Sequence, residues 1–258
     1  MRLDQLIFAR GLTDSREKAQ RLVRDGFVSV DGKVVTKPST AVADDIGIEI
    51  AENDNFVGRG AYKLQGALDA FGIDLTNRVC LDIGASTGGF TEVMLRRGAR
   101  YVYAVDVGSG QLAERLRTDE RVCNMEKTDV RTLTKDRLPL APDFCSIDVS
   151  FISLHHVLPC LKELNNGQFV ALIKPQFEAG RADIGKNGIV KSPAAHERVL
   201  KNFCSLLASL HLSLSALIAS PVRGGDGNIE YLAAFSHVPA DYTPDFRAIV
   251  RAAFAAKS

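Results

Sequence analysis

The sequence predicts an α/β protein: a wound, mostly parallel sheet covered by helices, preceded by a small α+β unit. Three observations carry this. Beyond residue 60, short apolar runs alternate with helical stretches, the pattern of a parallel sheet buried on both faces. Near the end, "LSLSALIASP" and "IEYLAAFSH" are joined only by the glycine-rich "VRGGDGN". That connection leaves no room for a helical crossover, so the two runs must be antiparallel neighbours and the sheet ends on an inverted strand. Residues 1–50 follow a different grammar, two helical segments and then β-rich runs.

In chain order, "LDQLIFARG" reads as a short helix stopped by Gly11. "TDSREKAQRLVRDG" reads as a second, with Thr13 or Ser15 at its cap and Gly26 at its end. "FVSV" and "KVVT" flank Asp31-Gly32, the strongest short hairpin signal, and "IGIEI" is a further alternating strand. The polar, glycine-containing "AENDNFVGRG", residues 51–60, reads as a linker. The second domain, residues 61–258, then supplies strands "RVCLDIG", "YVYAVDVG", "RVCNMEK", "FCSIDVS" and "QFVALIKP". The helical stretches are "FTEVMLRRG", "GQLAERLR", "SLHHVLPCLKEL", "PAAHERVLKNFCSLLASL" and a short terminal "PDFRAIVRAAFAAK".

A chain of 258 residues, 46% hydrophobic and 24% charged, suits one large or two smaller globular domains. It has no run of 18 apolar residues and no secretory leader, so neither a membrane partner nor export is expected, and a cytoplasmic location is. Five cysteines without a CxxC or a Cys/His cluster read as buried thiols in a reducing compartment, with no metal site. The net charge of +1 is uninformative as a total. Its distribution says more: Lys18, Arg21 and Arg24 fall on one face of the second helix, close to Arg16. Alone that is a solvated face; followed by a hairpin it becomes a candidate phosphate-contacting surface.

The stretch "RLDQLIFARGLTDSREKAQRLVRDGFVSVDGK" resembles the S4 RNA-binding domain at Arg2-Leu3-Asp4, Leu6, Gly11, Ser15-Arg16, Ala19, Gly26, Val28, Val30 and Gly32. That family turns its second helix and hairpin toward structured RNA. The resemblance implies RNA contacts from Arg2, Arg10, Arg16, Lys18, Arg21, Arg24 and Lys33, with Arg59 following in the linker.

The first strand of the second domain runs into Gly84-Ala85-Ser86-Thr87-Gly88-Gly89 and then Phe90, where a helix begins. This G-x-x-x-G-G turn is neither the dinucleotide G-x-G-x-x-G nor a P-loop. It still allows a ligand close to the backbone beside a helix N-terminus, where an anionic group is favoured. Asp82, Asp106 and Asp129 read as acids at the ends of the first three strands, where a carboxylate binds ribose hydroxyls. Strand-end acids without a phosphate cradle fit a nucleoside linked to an amino acid, S-adenosylmethionine, as does the inverted last strand.

Seven segments in order, "RGAYKLQGAL", "LDIGASTGGFTEVML", "AVDVG", "DVSFISL", "LIKPQFEAG", "GIVKSP" and "GNIEYL", resemble the hemolysin-A-type (TlyA-like) ribosomal RNA 2′-O-methyltransferases. These join an S4 domain to an FtsJ-like domain with a Rossmann-like class I methyltransferase sheet. The resemblance implies S-adenosylmethionine as cofactor and ribosomal RNA or a ribosomal subunit as partner, with no role for DNA. The target it implies is a cytidine ribose. The short chain resembles the family form associated with large-subunit RNA. A ribose 2′-hydroxyl must lose its proton as it attacks, and an unprotonated lysine beside another cation can take it. The family's Lys-Asp-Lys-Glu set falls on Lys63, Asp148, Lys174 and Glu230. Singly these read as a helix lysine, a cap, a strand-end lysine and a strand acid; in order at motif positions they read as one site. Rival readings are an RNA-binding protein with a vestigial methyltransferase domain, a membrane-active hemolysin as the family label suggests, and an NAD-dependent oxidoreductase, which lacks its glycine spacing.

Overall fold

The computed structural model describes residues 1–13, 15–24, 26–50, 56–185, 188–224 and 227–256. The chain forms two compact units that divide between Phe56 and Val57, inside the stretch read as a linker; residues 51–55 of that stretch lie outside the described residues.

The first unit opens with α1 (Leu3–Ala9) and α2 (Arg16–Arg24). Ser15 caps α2, its Oγ accepting the amide of Lys18 at 3.1 Å, so Ser15 takes the role that sequence left open between it and Thr13. The strands are β1 (Val28–Val30), β2 (Lys33–Val34) and β3 (Ile48–Ile50), in the order β2-β1-β3, antiparallel throughout. Val30 faces Lys33 across the two-residue turn Asp31-Gly32, whose φ values of 47° and 75° are the left-handed pair that a tight hairpin requires. Leu3, Ile7, Ala19, Leu22, Val23 and Val28 form its core.

The second unit contains α3 (Ala61–Phe71), β4 (Val79–Ile83), α4 (Gly89–Arg96), β5 (Tyr101–Val105), α5 (Glu114–Arg117), β6 (Val122–Met125) and β7 (Phe144–Ile147). It continues through α6 (Leu154–Leu161), β8 (Gln168–Ile173), α7 (Pro175–Glu178), α8 (Pro193–Ser209), β9 (Ser213–Ala219), β10 (Tyr231–Ser236) and α9 (Phe246–Ala255). One seven-stranded sheet runs β6-β5-β4-β7-β8-β10-β9. The pairs from β6 to β8 are parallel, and β10 is antiparallel to both β8 and β9. The inverted strand therefore ends the sheet in sequence but not in space, where it lies between β8 and the edge strand β9. Parallel strands buried on both faces need continuous apolar runs, and β4, β7 and β8 are almost wholly buried. Their carboxyl ends form the edge at which such sheets bind ligands.

Two expectations shift. "GQLAERLR" becomes helical only over Glu114–Arg117. Asp129 does not end a strand: β6 stops at Met125, and Asp129 caps a 3-10 turn over Val130–Thr132 by accepting the amide of Arg131.

Candidate active site

The glycine turn lies where β4 ends. Gly84 and Ala85 donate their amides to the carbonyl of Val105, which locks the turn against β5. Gly84 has φ +85°, and a Cβ there would stand 2.2 Å from the carbonyl oxygen of Asp148. Only a glycine lets the turn pass that close to the backbone after β7. Gly88, at φ +95°, starts α4 against Leu112 and Leu116. A Cβ on Gly89 would lie 3.1 Å from the amide of Ala61, so the turn also packs on the first residue of α3. Ser86 and Thr87 are exposed; Ala85 and Phe90 are buried.

Asp106 stands at the end of β5, as its position implied. It accepts the amides of Ser86 at 2.8 Å and Gly108 at 2.7 Å, so it shapes the turn while staying partly open to solvent. Val107 beside it is 73% exposed, an apolar surface that the sequence did not single out. Asp82 needs correction. It lies within β4, fully buried, and its two oxygens accept the hydroxyls of Thr91 at 2.6 Å and Ser146 at 2.8 Å. Side chains alternate along a strand, and this one points into the packing between β4, α4 and β7 rather than past the strand end. Burial raises its carboxyl to about 6, against the pull of those two hydroxyl bonds and helped by the charge of Asp148. Asp129 is likewise engaged elsewhere: the bonds from the Arg131 side chain and amide lower it to about 2.

The Lys-Asp-Lys-Glu set comes together as two ion pairs. Lys63, on the first turn of α3, places Nζ 2.6 Å from Glu230 Oε2, and both side chains are buried. Lys174, one residue past β8, places Nζ 2.6 Å from Asp148 Oδ1, one residue past β7, and donates to Ser150 Oγ at 2.8 Å. Register explains the convergence. Tyr231 pairs with Ile173, so Glu230, immediately before β10, emerges beside Lys174. Gln176, two residues beyond Lys174, donates Nε2 to Glu230 Oε1 at 3.1 Å. Desolvated ions of this kind hold only when paired, because stripping a charge of water without a partner costs several kcal/mol, roughly, even in a relaxed protein.

Sequence reading missed Ser150, Gln176, Glu92 and Phe151. Buried Glu92 accepts the amide of Val57 at 2.7 Å and the guanidinium groups of Arg96 and Arg115, which ties the entry into this unit to α4. Arg59 donates to the carbonyl of Arg223 at 3.1 Å. Phe151 is 92% exposed at φ +64°, a left-handed conformation that costs a bulky residue about 1–3 kcal/mol. Its ring lies 5.1 Å from that of Phe177, which in turn lies 5.9 Å from Lys174 Nζ. Glu178 accepts from Ser153 Oγ and the amide of Leu154, pinning the far end of this turn.

In the first unit, Asp4 is the centre of the basic cluster. It is fully buried and accepts from Arg2 at 2.9 and 3.2 Å, Arg16 at 3.0 Å and Gln20 at 2.8 Å. Arg24 and Lys33 are exposed and Lys18 is half-buried; the side chain of Arg21 lies outside the described residues. Arg10 is engaged with the carbonyls of Asp44 and Ile46, so its first role is to hold the loop before β3. Among the described residues no helix is long and apolar enough to cross a membrane, and no His, Cys, Asp or Glu cluster could hold a metal ion.

A wound sheet inverted only at β10, with its glycine turn and buried lysines at one edge, has the form of a methyltransferase domain. The model of the FtsJ-like methyltransferase family matches residues 56–237 and that of the S4 domain matches residues 1–45, so the chain belongs to the FtsJ-like methyltransferases and carries an S4 domain at its N-terminal end. It is 43% identical over 238 residues to "Hemolysin A" of Brachyspira hyodysenteriae, covering 91% of this chain and 99% of that protein. It is 43% identical over 234 residues to "16S/23S rRNA (cytidine-2'-O)-methyltransferase TlyA" of Mycobacterium tuberculosis, covering 89% of this chain and 87% of that one. A solved structure from Streptococcus thermophilus, described as a hemolysin, is 42% identical with a TM-score of 0.79, over 98% of this chain and 95% of that one.

Proposed function

We propose that the protein transfers a methyl group from S-adenosylmethionine to a ribose 2′-hydroxyl of ribosomal RNA, a cytidine of the large subunit in the first instance. The observation that carries this is the pair of buried lysine–carboxylate contacts, Lys63–Glu230 and Lys174–Asp148, at the ligand-binding edge of the sheet. The name of the Mycobacterium tuberculosis relative supports the choice of hydroxyl and base. The S4 domain, taken as residues 1–50 with a linker over 51–60, supports an RNA or ribosomal partner, which in turn supports a cytoplasmic location.

The residues present fit the cofactor. Gly84 to Gly89 leave the backbone open to a ligand, Asp106 retains acceptor capacity for ribose hydroxyls, and Val107 offers an exposed apolar contact beside it. When bound, S-adenosylmethionine supplies an electrophilic methyl on sulfur. Lys174 first gives up its own proton to solvent; the neutral amine, held by Asp148, then takes the proton of the 2′-hydroxyl as the ribose oxygen forms its bond to the methyl carbon. The bound cofactor would yield its methyl and keep the displaced electron pair on sulfur. Asp148 and Ser150 hold the Lys174 amine in place, and Glu230 with Gln176 holds Lys63 as the second cation. Phe151 serves as a stacking platform for the target base: a strained, exposed aromatic ring against Phe177, which itself lies 5.9 Å from Lys174 Nζ. Stacking of this kind is worth about 1–3 kcal/mol per base.

The test is methyl transfer to separated ribosomal RNAs and subunits, with mass mapping of the modified nucleotide. Methylation at a base amino group, or none on any ribosomal substrate, would overturn the reading. Phe151→Ala should raise the KM for RNA about tenfold to a hundredfold without changing cofactor affinity, as measured by steady-state kinetics and calorimetry.

A further inference from the structure

The segment "GIVKSP" takes no part in the site as described so far, yet two buried side chains tie its backbone to the residues on either side of Glu230. Asn228, 1% exposed, accepts the amide of Val190 through Oδ1 at 3.2 Å and donates Nδ2 to the carbonyl of Gly188 at 3.0 Å. His196, wholly buried on α8, bridges the carbonyl of Val190, 3.0 Å from Nε2, and the hydroxyl of Tyr231, 2.9 Å from Nδ1. The amide of Val190 is thus committed to Asn228 directly, and its carbonyl reaches Tyr231 through His196. The segment itself is closed by the amide of Gly185 on the carbonyl of Ile189 and by a bridge between Ile184 and Val190, and Arg198 pairs with Asp183 at its base.

Gly224 donates its amide to the carbonyl of Asn228 at 2.9 Å, so Asn228 also anchors the turn that leads to Glu230, and Gly227 takes φ +86°. The carbonyl of Glu230 accepts the amide of Ser220 at 2.8 Å, just ahead of the ladder that begins at Tyr231. From there Glu230 presents Oε2 to Lys63 at 2.6 Å and Oε1 to Gln176 at 3.1 Å.

We propose that Asn228 is a positioning residue for methyl transfer, with His196 and Tyr231 as its second anchor: together they fix Glu230 on the backbone of Val190 and, through Glu230, the amine of Lys63. The proposal rests on the role given to Glu230 above. The side-chain amide of Asn228 lies against segment 188–190 as a strand residue would, one donor and one acceptor toward a carbonyl and an amide. Aspartate in its place keeps the volume and the acceptor but sets a carboxylate oxygen against the Gly188 carbonyl. Glutamine is one methylene too long.

The experiment is a double-mutant cycle in the full chain, read by single-turnover methylation, with cofactor affinity and the KM for RNA measured alongside. Asn228→Asp should lower the rate constant about tenfold to a hundredfold, the scale of an ångström-sized misplacement, while cofactor affinity and KM stay within about twofold. In a Glu230→Gln background the same change should cost less than about twofold, since residues acting as one unit are not additive. Tyr231→Phe removes a single hydroxyl, keeps the buried ring, and should show the same non-additivity with a smaller loss, so it decides the matter if Asn228→Asp does not fold. Equal losses in the presence and absence of the Glu230 carboxylate would overturn the proposal, as would a loss confined to KM or cofactor affinity. A Glu230→Gln enzyme with the native rate would instead overturn the role of Glu230 itself.

Discussion

Two clusters in this molecule set carboxylates against cations, and they are built inside out relative to each other. Around Asp4 the acid is buried and the bases face solvent: Arg2 and Arg16 keep 44% of their side-chain surface exposed. Around Glu230 and Asp148 the lysines themselves are withdrawn, each with 10% of its side-chain surface exposed. The choice of base follows. A guanidinium never gives up its charge and presents a planar fork of donors, which suits it to phosphates held at a surface. An amine can exchange its proton when removed from water, which suits it to chemistry. The same opposite charges thus leave the cations exposed in one unit and withdrawn in the other, which suits the first to display and the second to the proposed chemistry.

The sharpest way to break this comparison is at Lys174. Lys174→Ala should lower single-turnover methylation about 10²–10⁴-fold, the contribution of a general base, with cofactor and RNA binding little changed. Lys174→Arg should be almost as inactive, because arginine keeps its proton. An arginine enzyme with a near-native rate would show that position 174 serves as a charge, like Arg2 and Arg16, and the contrast would collapse.

Two acids sharpen it from the stability side, with opposite signs. At Asp4 burial opposes ionisation, yet the bonds from Arg2, Gln20 and Arg16 hold the carboxyl well below the usual range. Its contribution is present at neutral pH and is lost as pH falls. Asp4→Ala should destabilise the first unit by about 2–3 kcal/mol at neutral pH, as hydrogen bonds to a charged group are lost, measured by denaturant unfolding. Asp82 is buried with hydroxyls alone. Raised to about 6, it keeps in the fold a proton that the unfolded chain sheds near the ordinary carboxylate value, so the native protein loses stability as pH rises toward 6. Asp82→Asn should therefore gain on the native protein by on the order of 2 kcal/mol between pH 4 and 6 and hold that gain above it. A constant difference across that range would mean that Asp82 ionises normally.

What the sequence revealed was what neighbouring residues decide together. Asp31-Gly32 makes its hairpin from two φ values, and "VRGGDGN" forces an antiparallel pair by its shortness. Lys63, Asp148, Lys174 and Glu230 were legible as motifs in order, although Lys63 and Glu230 meet across most of the chain. What stayed hidden depends on partners that no local pattern names. Asp82 looks like a strand-end acid until Thr91 and Ser146 close over it. Arg10 looks like a phosphate ligand until the carbonyls of Asp44 and Ile46 are seen to take its guanidinium. Phe151 is one apolar residue among several in "SFISL", and only its φ and exposure separate it from the buried Leu154.

The smallest expected effect tests the display side of the comparison. Arg24 is exposed on α2, and its hydrogen bond goes to the neutral Gln20, 3.2 Å away, which itself donates to Asp4. Its charge is therefore less neutralised than those of Arg2 and Arg16, which bond the carboxylate directly. If this face meets the phosphate backbone, Arg24 contributes by releasing a counterion rather than by reading a base. Arg24→Ala should then weaken binding to ribosomal RNA fragments equally, whatever their sequence, and lower the slope of log K against log salt by about one. Its methylation rate at saturating RNA should match that of the native enzyme, since no lysine of the reaction centre is touched. Binding measured across a salt series decides it. An unchanged slope would mean that α2 displays its charge to solvent alone, and the phosphate-facing role would pass to Arg2 and Arg16.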